Sequence, residues 1–181
     1  MTVDNIDNIE QICRKNIDEG FRLIMYHYQE LMYHHIRRML VNHEDTQDAL
    51  QETFLNAYNS LSQFRFESSV STWLYIIATR ECLRILRQKQ RQFVVDDDEQ
   101  TAYLMNQLMA GDYIDYENEM AVKFQQAILM LPERQRLVFN LRYYDELEYE
   151  EIAKILDSSV NTLKVNYHYA KEKIKEYILK H

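Results

Sequence analysis

Four arginines, Arg80, Arg84, Arg87 and Arg91, fall at i, i+4, i+7 and i+11. On a helix that spacing lines them along one face. Trp73 lies seven residues before the first of them and so near the same stripe. Such a track suits a nucleic-acid strand, because guanidiniums pair with phosphates and an indole stacks on, or replaces, a base. The competing reading is a solvated charged face over a Trp packed in the core. Near the C-terminus, Lys164, His168, Lys171 and Lys175 repeat the spacing, and Asn161, Thr162, Val165, Asn166 and Tyr169 project from the early turns of the same segment. Short side chains at the start of a helix reach base edges while lysines hold phosphates; the competing reading is a plain packing hairpin. A third cluster, Asp45, Asp48, Gln51 and Glu52, forms an acidic, polar face opposite an apolar stripe. It reads either as solvation or as a docking face for a protein partner.

Support for catalysis is lacking. The chain has no glycine-rich phosphate loop, no HExxH and no CxxC. His34 and His35 are adjacent and so point to different sides of a helix; His27 and His34 could share a face, but no carboxylate or Cys completes a site beside them. Cys13 and Cys82 lie far apart and read as reduced thiols of a cytosolic protein. No apolar run reaches the ~18 residues of a membrane span, and Met1 to Gly20 lacks the apolar core of a signal peptide. The expectation is a cytoplasmic protein that is not an enzyme, with no cofactor, metal, small-molecule substrate or direct membrane insertion.

The elements that must hold these residues are helices. With two Gly and one Pro in 181 residues, the chain is short of turn-formers, while helix-favouring types abound. Periodicity predicts helices at about Ile6–Tyr28, Glu30–Leu40, Glu44–Leu61 and Ser69–Gln90. In the third, Leu50, Phe54, Ala57, Tyr58 and Leu61 make the apolar stripe, and Asp45 and Asp48 suit the positive end of the helix dipole. Ser68 or Ser69 caps the fourth. Four more follow: Val122–Leu131, a helix opening at Pro132 and ending near Tyr144, Tyr149–Leu156, and Val160 to about Leu179, which buries Leu163, Tyr167, Ala170, Ile174 and Ile178. The last two have helix-turn-helix geometry, with Ala153 at the close crossing and Asp157 at a turn position that favours positive φ.

The net charge of −8 at first argues against a nucleic-acid partner. Its distribution reverses that. From Gln92 to Val122 there are eight acids and no Lys or Arg, so the remainder of the chain is neutral and free to carry local basic faces. Residues 92–119 also lack strong periodicity, apart from a possible short helix at Tyr103–Met109, and read as an interdomain linker. The predicted architecture is all-α, with two small helical domains over 1–91 and 120–181 joined by that acidic linker. A linker of this kind permits many arrangements, including a compact one.

Taken together these motifs resemble the bacterial sigma factors of the extracytoplasmic-function (ECF) type, within the sigma-70-like family. Glu44 to Tyr58 looks like the family's core-polymerase-binding helix, with its DxxQExF pattern at Asp48, Gln51, Glu52 and Phe54. Phe64 to Ala78 is similar to the stretch leading into the promoter-melting helix. Leu131 to Phe139 resembles the opening of sigma region four, and Tyr149–Leu156 with Asn161–Lys164 its helix-turn-helix. The resemblance spans about Ile12 to Ile178, matching the linker only in its acidity.

The resemblance implies that region two docks on core RNA polymerase through Asp45, Asp48, Gln51, Glu52 and Phe54. It implies that Trp73, Arg80, Arg84, Arg87 and Arg91 engage the melted minus-ten element. Asn161, Thr162, Lys164, Val165, Asn166, His168, Tyr169 and Lys171 would then contact the major groove at the minus-thirty-five element. Flipped bases would repay unstacking without ATP, and an anti-sigma protein would hold the factor inactive. Many members have Asn and Asp where this chain has Arg80 and Arg84, and Arg where it has Asn166 and Tyr169. The last pair implies fewer phosphate contacts and a shallower salt dependence. The alternatives are a helix-turn-helix regulator with an N-terminal sensor, which would need no DxxQExF face, and a helical adaptor that binds only protein.

Overall fold

The computed structural model describes residues 8–92 and 118–181, and among these every regular element is a helix. The first half holds α1 (Ile9–Lys15), α2 (Ile17–Leu40), α3 (His43–Leu61) and α4 (Val70–Gln92); the second holds α5 (Glu119–Leu129), α6 (Glu133–Tyr143), α7 (Tyr149–Leu156) and α8 (Val160–Lys180). The helix expected at Tyr103–Met109 lies outside the described residues.

The expected break near Gln29 is absent, because α2 runs unbroken from Ile17. The chain breaks earlier, at Asn16, whose Oδ1 accepts the backbone N–H groups of Asp18 (3.1 Å) and Glu19 (3.3 Å). A side-chain acceptor there satisfies two otherwise orphaned donors and starts a new helix. The short α1 folds back on α2 so closely that a Cβ on Gly20 would run into Cys13, which only glycine avoids. Ser69 opens α4, its Oγ accepting the Thr72 N–H at 3.1 Å. Asn42, Asn118 and Ser159 cap α3, α5 and α8 in the same manner. Asp157 takes the left-handed conformation (φ 47°, ψ 57°) that the turn between α7 and α8 requires.

Helices α2, α3 and α4 pack on one another around Ile24, Met32, Ile36, Phe54, Ala57, Leu74 and Tyr75. Helices α5, α6 and α8 enclose a smaller cluster of Ala127, Ile128, Leu131, Phe139, Ala170 and Ile174. Between the halves the apolar core is continuous. Leu137, Val138 and Leu141 of α6, Ile152 and Ile155 of α7 and Leu163 of α8 belong to the same buried cluster as the first half. Helix α7 lies against α4, and α6 against α2.

Candidate functional site

On α3 the exposed residues are His43, Glu44, Gln47, Asp48, Gln51, Glu52, Leu55, Tyr58 and Asn59, whereas Thr46, Ala49, Thr53, Phe54, Ala57 and Leu61 are buried. Asp48, Gln51, Glu52 and Leu55 follow i, i+3, i+4 and i+7 and so form one ridge. Two corrections arise from this. Phe54 is only 6% exposed and sits edge-on to Phe21; it holds the helix against α2 and is not accessible to a docking partner. Tyr58, expected in the apolar stripe, is exposed instead, with its hydroxyl donating to Asp18 Oδ1 at 2.8 Å. Leu55 was missed by sequence reasoning, although its position seven residues after Asp48 would have found it. Asp45 lies at the edge, half-buried and ion-paired with Lys89 of α4.

Arg80, Arg84 and Arg87 are exposed along α4 as the spacing requires; the side chain of Arg91 lies outside the described residues. They are not equivalent. Arg84 Nε donates to Glu81 Oε2 at 2.8 Å, and that bond, with nearby Glu52, pushes its pKa above the ordinary arginine value. Its charge is therefore partly spoken for by acids of its own domain. Trp73 is half-buried and stacked on Phe64, with ring centroids 4.4 Å apart and planes 13° from parallel. One side of the indole packs on the core while another edges a surface cavity of about 460 Å³. Phe64, Arg65, Thr72 and Ile76 share that cavity with Lys154 of α7.

In the second half, Asn161, Thr162, Lys164, Val165, His168, Tyr169 and Lys171 are exposed on α8, and Asn166 is half-buried. Two of the polar groups are already engaged. The Asn166 amide donates to the Thr162 carbonyl at 2.9 Å, and the Thr162 hydroxyl lies 2.8 Å from Ser159 Oγ. Val165 (53%) and Tyr169 (54%) are exposed large apolar side chains in the first half of α8. Lys164 Nζ sits 5.7 Å from the Tyr149 ring centroid and Lys171 Nζ 5.1 Å from that of Tyr167. Aromatic faces thus hold both ammonium groups without neutralising them. Arg134 of α6 donates to Ser158 Oγ at 3.2 Å and ties the turn to the domain.

Among the described residues no group of His, Cys, Asp and Glu is placed to hold a metal ion, and no helix is long and apolar enough to cross a membrane. Cys82 is fully buried, which pushes its thiol pKa well above the usual range.

Comparison with known proteins follows the same division. The family description "Sigma-70 region 2" matches residues 24–92, and "Sigma-70, region 4" matches residues 121–174. The ECF RNA polymerase sigma factor SigW of Bacillus subtilis is 30% identical over 94% of this chain and 94% of its own length. The RNA polymerase sigma factor YlaC of the same organism is 32% identical over 92% and 94%, and the ECF sigma-E factor of Haemophilus influenzae is 31% identical over 96% and 93%. Among solved structures, the sigma factor RpoE of Bartonella quintana, crystallised with the anti-sigma factor NepR, shares the fold at a TM-score of 0.67 and 18% identity, covering 92% of this chain and 98% of that one. CnrH, in complex with the cytosolic domain of CnrY, has a TM-score of 0.67 at 17% identity over 93% and 92%. With both halves matched in order and relatives aligned over nearly their whole length, the chain belongs to the sigma-70 family as a sigma factor of the ECF type, a transcription initiation factor.

Proposed function

We propose that this sigma factor docks on core RNA polymerase through the α3 ridge, with Asp48, Gln51 and Glu52 making polar contacts, Leu55 adding apolar area and Asp45 at the rim. The observation that carries this reading is the ridge itself, in which three polar side chains of the DxxQExF pattern stand exposed while its Phe is buried beneath them. Residues 1–91 form the polymerase- and minus-ten-binding domain, 92–119 an acidic linker, and 120–181 the minus-thirty-five-binding domain. Trp73 offers an aromatic face beside a cavity for an unstacked base of the minus-ten strand, with Arg80, Arg87 and Arg91 along the backbone and Arg84 shared with Glu81. On α8, Lys164, His168 and Lys171 hold phosphates, while Asn161, Val165 and Tyr169 face the bases and Thr162 and Asn166 shape the helix start. An apolar and aromatic reading surface of this kind suits thymine methyl groups.

The factor acts in the cytoplasm, is not an enzyme and needs no cofactor. An anti-sigma protein holds it inactive, a reading supported by the shared fold of RpoE, which was crystallised in complex with the anti-sigma factor NepR. The docking claim is tested by co-purification with core polymerase. Wild type is retained, Asp48→Arg with Glu52→Arg is lost, and Gln88→Arg on the exposed side of α4 is retained; loss of all three, or of none, contradicts it.

A further inference from the structure

Residues 62–69 join α3 to α4 and supply one wall of the cavity beside Trp73, with Gln63, Phe64, Arg65, Glu67 and Ser68 among its lining. Backbone hydrogen bonds fix the start of this loop, where the N–H groups of Gln63 and Phe64 donate to the carbonyls of Ser60 (3.0 Å) and Leu61 (3.1 Å). The Ser69 cap fixes its end. In between, burial alternates. Phe64 and Phe66 are half-buried, while the side chains of Arg65 and Glu67 are 82% and 77% exposed. Phe66 takes a φ of 58°. An aromatic residue in the left-handed region is strained, and it persists there only where its surroundings hold it. Those surroundings are a row of rings. The Phe64 centroid lies 4.5 Å from that of Phe66 and 4.4 Å from that of Trp73. At the other end of the row, Arg14 of α1 places its guanidinium carbon 5.9 Å from the Phe66 centroid. Glu10, one turn earlier, steadies Arg14, its Oε1 accepting from Nε at 3.0 Å and from Nη2 at 2.7 Å. Helix α1 is fixed in turn, because Ile9 and Cys13 are buried in the core and Cys13 lies against Gly20 with no room for a Cβ between them.

We infer that Arg14 and Phe66 are positioning residues for promoter recognition: α1 props the 62–69 loop through the contact of the Arg14 cation with the Phe66 ring, and so sets which base the cavity beside Trp73 prefers. The inference rests on the reading above that this cavity takes an unstacked base of the minus-ten strand, and it adds the residues that set the selectivity. Neither Arg14 nor Phe66 is among the residues that line the cavity. They act through Phe64, which stacks on Trp73 and carries the loop with it. Stacking on an aromatic face tolerates every base, because every base has a π-face. Preference therefore comes from the groups that meet the base at its edge, and here those are the polar side chains of the loop, Gln63, Arg65, Glu67 and Ser68. A shift of the loop changes which edge they fit and leaves the stacking in place.

Transcription by core polymerase with the full chain, from a pool of its upstream DNA randomised across the minus-ten element, tests this when the transcribed templates are sequenced. Wild type shows a base preference at the captured position. Arg14→Ala and Phe66→Gly each lower that preference about two- to fivefold, the factor that a cation–ring contact at an exposed site is worth, and leave the other randomised positions as in wild type. Glycine relieves the backbone at residue 66, so its effect comes from the lost ring. Arg14→Lys and Phe66→Tyr keep a cation and a ring and retain the preference. Arg22→Ala, which removes an exposed cation from α2, retains it as well. Wild-type preference in both Arg14→Ala and Phe66→Gly, where Trp73→Ala erases it, overturns the inference and leaves the base-capture reading standing. An equal fall at every position also overturns it, because that marks a role in stability alone. If Trp73→Ala changes no preference either, the base-capture reading falls and the inference falls with it.

Discussion

Replacing Lys164 and Lys171 together by alanine removes two ammonium groups that α8 holds in the open, each leaning on an aromatic face rather than on an acid. If each meets one phosphate, each contributes about −0.9 to the slope of log K against log salt. The double variant is then flatter by about 1.8. Between 50 and 200 mM salt, a fourfold change, wild type loses about 12-fold more affinity than the variant does. The assay is anisotropy of a labelled promoter duplex titrated with the full chain and core polymerase across that range. Lys180→Ala serves as the control, because its ammonium is ion-paired 2.6 Å from Glu176 Oε1 at the far end of the helix, and its slope matches wild type. If the Lys164 and Lys171 variant keeps the wild-type slope, those side chains do not touch phosphate and the groove placement of α8 is wrong.

Trp73→Ala removes a stacking face worth about 1–3 kcal/mol per base, so permanganate reactivity of melted promoter thymines falls while Trp73→Phe retains most of it. Ile36→Ala, at a fully buried position, costs about 2–5 kcal/mol, whereas Leu55→Ala on the exposed α3 ridge stays within about 0.5 kcal/mol; thermal unfolding separates the two. Burial pushes the Cys82 thiol and the Tyr75 phenol well above their ordinary values of 9.0 and 10.0. Above pH 9 the unfolded chain therefore releases protons that the folded chain keeps, and urea midpoints fall progressively with alkalinity; a flat profile from pH 8.5 to 10.5 contradicts that burial.

Much of this was legible because helices write local patterns. The cap at Ser69, the positive φ at Asp157 and the limits of α7 follow from side-chain chemistry within three or four residues. The errors arose where two local signals competed. Asn16 and the polar stretch at Gln29 both resemble helix boundaries, and only Asn16 places an acceptor on free backbone N–H groups. Phe54 and Tyr58 sit one turn apart on α3 and both meet Phe21 of α2, and periodicity alone does not say that the first is 6% exposed and the second 41%. The contact between His35 and Asp145 was invisible for a different reason. His35 and Asp145 are 110 residues apart, and each alone reads as an ordinary polar residue on a helix or in a loop. Only the docking of α6 and α7 on α2 and α4 makes them partners.

Run-off transcription from the DNA upstream of the chain's own coding sequence, with purified core polymerase, tests the central claim most directly. The account predicts a discrete transcript that requires the wild-type protein, disappears with Asp48→Arg plus Glu52→Arg, and weakens with Lys164→Ala plus Lys171→Ala. A transcript of equal strength from core polymerase alone, or from the docking variant, would contradict it.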